Sequence, residues 1–206
     1  MIVTDIVPIT NSRSKIYIDN EFAFVLYKGE LHNYRITEGK DIEKSVLEEI
    51  VSNVLPKRAK LRGMSLLKSR PYTAKHMYDK LKQGLYPESV INIAIDYFKS
   101  FGYIDDYQYA LDYIEYHSEG RSRKRLEQDL ANKGIDRTLI KEAFMDWQQE
   151  GGVIDEESQI RDLLRKKGYD FENCDNKEKQ KVMAFLFRKG FDISTINKVL
   201  NYDVFY

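Results

Sequence analysis

One pattern is written twice in this chain at a fixed distance, and it restricts the fold more than any other feature. Gly84, Gly102 and Asp105 recur as Gly134, Gly152 and Asp155, and Gly102-Tyr103-Ile104-Asp105-Asp106 is echoed by Gly152-Val153-Ile154-Asp155-Glu156. A period of about 50 residues marks a stacked repeat protein, in which a unit buries its apolar face against its neighbour.

The punctuation defines the unit. Gly84 and Gly134 each follow an amphipathic stretch, where a residue free to adopt the left-handed conformation closes a helix and the apolar residue after it packs back on the last turn. Asp136 is placed to cap the next helix. That helix carries Val90, Ile91, Ala94, Ile95, Phe98 and Phe101 in the first copy, and Leu139, Ile140, Ala143, Phe144 and Trp147 in the second, spaced for one buried face. Gly102 or Gly152 closes it, and an acidic residue, Asp105 or Asp155, opens another. Each unit is therefore three short helices, and neighbouring units are expected to superpose through Gly84/Gly134 and Gly102/Gly152. A looser third copy follows, with Leu186 to Asp192 matching Leu130 to Asp136. Its longer spacing suits a terminal repeat.

The rest of the chain is arranged around these units. Lys15–Ile18 and Phe22–Tyr27 flank an Asx turn at Asp19-Asn20-Glu21 and read as a hairpin, with weak alternation over Ile2–Ile9 and a second turn at Lys28-Gly29-Glu30. A helix from near Asp41 turns Ile42, Val46, Leu47 and Ile50 inward and is expected to stop before Pro56. The first repeat then opens with Leu61, Met64 and Leu67 on one side and Arg58 and Arg62 opposite. Met77 and Leu81 follow, corresponding to Leu126 and Leu130. Tyr109, Ala110, Tyr113, Ile114 and His117 form the seam opening the second repeat, and Ile160, Leu163 and Leu164 that of the third. The expected architecture is mainly α: a tandem array of three three-helix repeats, 56–104, 105–154 and 155–206, behind a small β-hairpin and helix subdomain, 1–55.

Composition narrows the function. Lys plus Arg and Asp plus Glu are equal at 33 each, so no overall field draws the 206-residue chain to bare duplex DNA. The charge is segregated all the same. Lys57 to Arg70 is basic without an acid, Tyr103 to Gly120 is acidic without a Lys or Arg, and Arg121, Arg123, Lys124 and Arg125 follow at once. That alternation suits a partner of mixed charge, or one that holds nucleic acid. The many Tyr and Phe residues are read as packing between helices rather than as base-stacking groups. With Cys174 alone, neither an intramolecular disulfide nor a cysteine-cluster zinc site can form. No signal-like or membrane-length apolar run is present, so the expectation is a reduced, cytoplasmic protein with no membrane role and, by default, a monomer.

No chemistry assembles from local signatures. His32, His76 and His117 are scattered, and His117, on an apolar face, is expected to be a hydrogen-bonded core residue. Gly39-Lys40 fails as a phosphate loop because Tyr34 stands where glycine is required and Asp41 where Ser or Thr is. Asp105-Asp106 and Asp155-Glu156 sit at helix starts, where capping explains them better than metal binding. Neither catalytic residue, metal nor cofactor is expected. What remains is a basic binding face. Leu126 and Leu130 turn inward, so Lys124 points away with Arg121 and Arg125 beside it; Arg58 and Arg62 offer a like pair in repeat one, and Arg165, Lys166, Arg188 and Lys189 in repeat three.

Tandem three-helix units, the segment Gly102 to Ala110, and a basic helix ending in Lys133-Gly134-Ile135 resemble the RecX family of recombination regulators over about Pro56 to Val204. Three positions depart from the family pattern: Gln108 replaces a usual basic residue, and Glu115 and His117 stand where arginines are frequent. The resemblance implies a protein that lies in the groove of the RecA filament on single-stranded DNA. There it would restrain filament growth, DNA-dependent ATP hydrolysis, strand exchange and the stimulated cleavage of LexA, with at most weak direct contact to DNA. A direct DNA-binding helical-repeat protein and a general helical scaffold are the alternative readings.

Overall fold

The computed structural model describes residues 1–170 and 175–202; Cys174, and Val204 at the end of the resemblance, lie outside the described residues. Two compact units divide the chain, Met1–Asp105 and Asp106–Tyr206.

The first unit opens with three antiparallel strands, β1 (Val3–Thr10), β2 (Arg13–Ile18) and β3 (Glu21–Tyr27), in the order β1-β2-β3. Ser14, Ile16 and Ile18 of the central strand alternate inward. At the β2–β3 turn Asp19 and Asn20 both have positive φ, 48° and 69°, the backbone twist that a tight hairpin turn requires of non-glycine residues with short polar side chains. The expected hairpin is there, and the weakly alternating stretch before it adds a third strand at its edge. Lys28-Gly29-Glu30 is not a turn but the start of a short helix, α1 (Lys28–Asn33), because the Glu30 carboxylate accepts the Tyr27 N–H at 2.7 Å.

Pro56 does not end a helix either. The chain is helical from Lys44 to Leu67, through α2 (Lys44–Glu49), a π turn (Ile50–Val54) and α3 (Leu55–Leu67). In the wide turn the Leu55 N–H reaches back to the Ile50 carbonyl, which re-spaces the backbone just before the residue that has no N–H to give. The side of α3 that packs inward is Ala59 and Gly63, while Leu61 is 64% exposed. The expected Leu61 seam is thus displaced. A Cβ on Gly63 would fall 2.2 Å from the Phe98 ring, so this helix approaches the helix that carries Phe98 closely through a bare backbone. α4 (Ala74–Gln83) is capped by Thr73, whose hydroxyl accepts the His76 N–H at 3.2 Å, and buries Met77 and Leu81. α5 (Glu88–Ser100) buries Val90, Ile91, Ala94, Ile95 and Phe98, but Phe101 lies outside the helix and faces solvent. Ile16, Leu26, Ile50, Leu55, Met77 and Phe98 belong to one cluster, so the sheet and the first three-helix repeat share a core.

The second unit holds α6 (Asp106–His117), α7 (Arg123–Asn132) and α8 (Arg137–Gln149) around Ile114, Leu126, Leu130 and Phe144. It continues with α9 (Glu156–Lys167), α10 (Asn176–Arg188) and α11 (Ile193–Tyr202) around Ile160, Leu164, Leu186 and Val199. Asp136, Asp155 and Asp175 each accept a backbone N–H at a helix start, from Thr138, Ser158 and Glu178. No strand lies beyond Tyr27 among the described residues.

The helix-end landmarks recur at a spacing one residue shorter than the glycines suggest. Tyr86 N–H bonds the Leu81 carbonyl as Ile135 N–H bonds Leu130, and the left-handed residue between is Leu85 (φ 63°) in one unit and Gly134 (φ 81°) in the other. Gly84, at φ −75°, is an ordinary helical residue. At the next helix end the equivalents are Gly102 (φ 68°) and Gly151 (φ 96°), not Gly152. Gly152 is glycine for a different reason: a Cβ there would sit 2.3 Å from the Trp147 indole.

Candidate partner and nucleic-acid interface

A cationic concavity lies within the second unit, where the start of α7 meets the end of α10. Ser122 precedes α7; its Oγ accepts the Arg125 N–H at 3.3 Å and donates to the Lys189 carbonyl at 3.1 Å. Close contact is made by Gly190, whose φ of 93° is open to glycine and whose Cβ position lies 2.6 Å from Ser122 Oγ. The resulting cavity of about 490 Å³ is walled by Arg121, Ser122, Arg125, Arg188 and Lys189 over Leu163, Phe185 and Phe191, and among the described residues no carboxylate lines it. Arg121 and Arg125 are held by one acid, Asp129, at 2.6 Å and 3.1 Å. Tyr113 joins them, donating to Asp129 at 3.3 Å and accepting from Arg121. Burial, then the Asp129 charge, pushes the Tyr113 hydroxyl pKa up. Arg188 and Lys189 have no carboxylate within ion-pair distance among the described residues. They stand at the negative end of the α10 dipole, which steadies them without neutralising the cavity.

A second basic cleft of about 480 Å³ lies in the first unit, lined by Arg13, Tyr27, Arg58, Arg62, Lys80 and Tyr86. Arg62 is exposed as expected, whereas Arg58 is not: its side chain is 18% exposed, donates to Glu30 at 2.6 Å and to the Val25 carbonyl at 2.7 Å, and lies over the Tyr27 ring. A helix-face argument could not foresee this, because the partners come from the strand and short helix that pack on α3.

The remaining sequence-derived cations are dispersed. Lys124 is exposed, with its ammonium 5.5 Å from the Phe187 ring. Arg165 pairs with Asp162 at 3.4 Å, and both it and Lys166 sit in the last turn of α9, outside the cavity lining. Sequence reasoning missed Arg13 and Lys80, which strand register and helix ends bring to the first cleft. It also missed the polar joint between the second and third repeats. There Glu156 accepts the Arg123 N–H at 2.9 Å and buried Gln159 donates to the Ser118 carbonyl at 2.6 Å. The residue types spelled out Arg123 and Glu156 but not their meeting.

His117 is half-buried between the Tyr113 and Tyr116 rings, with centroids at 4.3 Å and 4.9 Å, so it is an aromatic contact rather than a hydrogen-bonded core residue. Burial, then the Arg121 charge, lowers its pKa. Glu115 accepts the Trp147 indole N–H and Gln108 donates to Asp112 at 2.8 Å, so both departures from the family pattern have structural partners. Among the described residues no group of three His, Cys, Asp or Glu is placed to hold a metal, and no helix is long and apolar enough to cross a membrane. The chemistry offered is attraction for anions.

Comparison with known proteins agrees with this architecture. Residues 105–143 match the profile of the second three-helix domain of RecX and residues 155–200 that of the third. Regulatory protein RecX of Clostridioides difficile (strain 630) is 28% identical over 197 residues, covering 93% of this chain and 89% of its own. The RecX of Caldanaerobacter subterraneus subsp. tengcongensis is 29% identical over 195 residues, with 93% of both chains covered. The fold is shared with a crystal structure of regulatory protein RecX at a TM-score of 0.61 and 22% identity, over 96% of this chain and 97% of that one. It is shared also with RecX from Lactobacillus salivarius at a TM-score of 0.58 and 20% identity, over 73% of this chain and 98% of that one. With two matched RecX domains, relatives aligned along nearly its whole length and the same fold, this chain belongs to the RecX family of regulatory proteins.

Proposed function

We propose that the protein binds the RecA filament on single-stranded DNA and restrains it, lowering DNA-dependent ATP hydrolysis, recombinase activity and LexA co-cleavage by contact alone. The observation that supports this reading most is the basic cavity at the junction of the second and third repeats, where Arg121, Arg125, Arg188 and Lys189 converge. Such a site suits phosphates or acidic groups presented by a large partner. The first unit offers a second basic cleft around Arg62 and Lys80, and two weak contacts on one chain reinforce each other through effective concentration. Part of the same proposal is a four-segment organisation, 1–55, 56–104, 105–154 and 155–206, acting as a cytoplasmic monomer with no catalytic step and no cofactor. A direct DNA-binding protein and a helical scaffold are the competing readings, and zero net charge weighs against tight binding to bare duplex.

Titration into a recombinase filament, with naked single-stranded and duplex DNA at several salt concentrations, separates the three. The cations to change are Lys124, Arg188 and Lys189, which have no carboxylate partner among the described residues; exposed substitutions of this kind usually cost within about 0.5 kcal/mol of stability. Their combined change to Glu is expected to weaken filament binding, flatten its salt dependence and relieve the inhibition of ATP hydrolysis. An unchanged affinity and salt slope in a folded variant overturns the assignment of this face. A wild-type chain that leaves ATP hydrolysis untouched at stoichiometric amounts overturns the function.

A further inference from the structure

In the first unit, the end of α5 carries aromatic rings that continue outward from the core: Tyr97 packs against the core on one side, and Phe101 and Tyr103 extend beyond it outside the basic cleft. Phe101 is 64% and Tyr103 46% exposed, with half-buried Tyr97 beside them. Tyr97 and Phe101 centroids are 4.8 Å apart, and the Phe101 and Tyr103 rings lie at 6.2 Å with planes 23° from parallel. Gly102 sets this arrangement through its left-handed backbone; nothing lies within 4 Å of where its Cβ would be, so conformation and not space requires the glycine. Scattered exposed apolar residues are ordinary, whereas a contiguous group of large rings marks a contact surface.

The surroundings indicate what that surface contacts. Lys60 lays its ammonium 4.4 Å from the Tyr97 centroid. Lys57, one turn earlier on α3, and Lys99, in the last turn of α5, are exposed, and among the described residues none of the three lysines has a carboxylate within ion-pair distance. The stacked Phe101 and Tyr103 rings, with Tyr97 tilted 48° and 38° to them and the Lys60 ammonium at the edge, match the alternation of base and phosphate along an unpaired strand. A duplex hides its base faces and cannot use such a platform. Asp96 and Asp105 are exposed in the same stretch, so the net charge is small and ring stacking must supply most of the affinity.

We propose that Tyr97, Phe101 and Tyr103 form a stacking platform for the bases of a single-stranded nucleic acid, with Lys60 at its phosphate edge. The test measures anisotropy of labelled oligo-dT and oligo-rU with the full chain and no recombinase, alongside an abasic strand of equal length and a duplex. Phe101→Ala with Tyr103→Ala is expected to weaken oligo-dT binding by roughly fivefold to one hundredfold, the range for losing one stacked base, and to leave the salt slope unchanged. Abasic-strand affinity should not respond, and Phe101→Tyr with Tyr103→Phe should retain binding. The comparison of dT with rU decides whether the strand is DNA, RNA or either. Equal losses on oligo-dT and abasic strand overturn the proposal. So does an unchanged oligo-dT affinity, and if filament binding falls at the same time the platform belongs to a protein partner. Because no recombinase is present, this assay can fail while the regulatory reading stands, and the Lys124, Arg188 and Lys189 variants can fail while the platform stands.

Discussion

Replacing Gly190 with Ala isolates the joint between the second and third repeats, because Gly151 in the same unit provides a matched control. Both glycines have a left-handed backbone, φ 93° and 96°, so alanine at either incurs the strain of that region, about 1–2 kcal/mol, less the entropy it removes from the unfolded chain. The net cost at Gly151 should be about 1 kcal/mol, since nothing lies within 4 Å of its Cβ position. At Gly190 the new methyl falls 2.6 Å from Ser122 Oγ and 3.2 Å from the Arg125 nitrogen, so the hydroxyl must move. That forfeits the α7 cap, about 1 kcal/mol, and a hydrogen bond to the Lys189 carbonyl of about 1 kcal/mol. Gly190→Ala should therefore destabilise by about 3 kcal/mol. Urea unfolding followed by far-UV circular dichroism and by emission of Trp147 reads the difference as a midpoint shift of about 1 M relative to Gly151→Ala, at typical denaturant slopes. The same argument requires non-additivity: Ser122→Ala should cost much less in the Gly190→Ala background than in wild type, because the cap is already lost. Equal midpoints for the two alanine variants, or full additivity with Ser122→Ala, would show that the contact between these repeats is incidental.

Arg58→Ala removes both the Glu30 pair and the bond to the Val25 carbonyl, and should lower the stability of the first unit by about 2 kcal/mol, whereas Arg62→Ala should stay within about 0.5 kcal/mol. Thermal unfolding of the two variants side by side checks this, and similar losses would mean that the Arg58 contacts carry no energy. Glu156 gives a pH test: burial is the main cause that raises its carboxyl pKa in the fold, above the ordinary 4.5, so its contribution to stability is complete below that value and is lost as pH rises through the folded pKa. Glu156→Gln, which does not titrate, should gain stability relative to wild type across that rise, and a difference that does not vary with pH would remove burial as the cause.

The parts of the fold legible in the sequence were those set by short-range pattern. Asp136 and Asp155 cap helices, and Leu126, Leu130, Ile140 and Phe144 are buried where the helical period puts them. Errors arose where one residue type serves two physical ends. Glycine marks a left-handed helix end at Gly102 and Gly151, but a bare surface for a ring at Gly63 and Gly152. Leu85 takes the left-handed position that a glycine-based alignment gives to Gly84, because the chain in either unit must turn at the same point relative to Leu81 or Leu130. Proline chemistry alone implies a stop at Pro56, yet the π turn before it absorbs the missing donor, and no local pattern announces such a turn.

The same distinction applies to the candidate face. Helical periodicity sorts residues into inward and outward, and on that basis Arg121, Lys124 and Arg125 look alike. Charge pairing separates them: Asp129, four residues beyond Arg125, binds both arginines through its two oxygens, while Lys124 has no acid within ion-pair distance among the described residues. That i to i+4 relation was visible in the sequence, whereas the approach of Arg188 and Lys189 to the same cavity depends on how the third repeat docks, through Gly190 against Ser122. Among the described residues, four cations and one shared carboxylate leave the site net positive, and the two cations contributed by the third repeat are those with no acid to hold them. Reversal of Arg121 and Arg125 would strand Asp129 among new carboxylates and perturb the fold along with the charge. Arg188, Lys189 and Lys124 are therefore the positions at which a loss of binding reports on the field of the cavity rather than on the integrity of the helix that supports it.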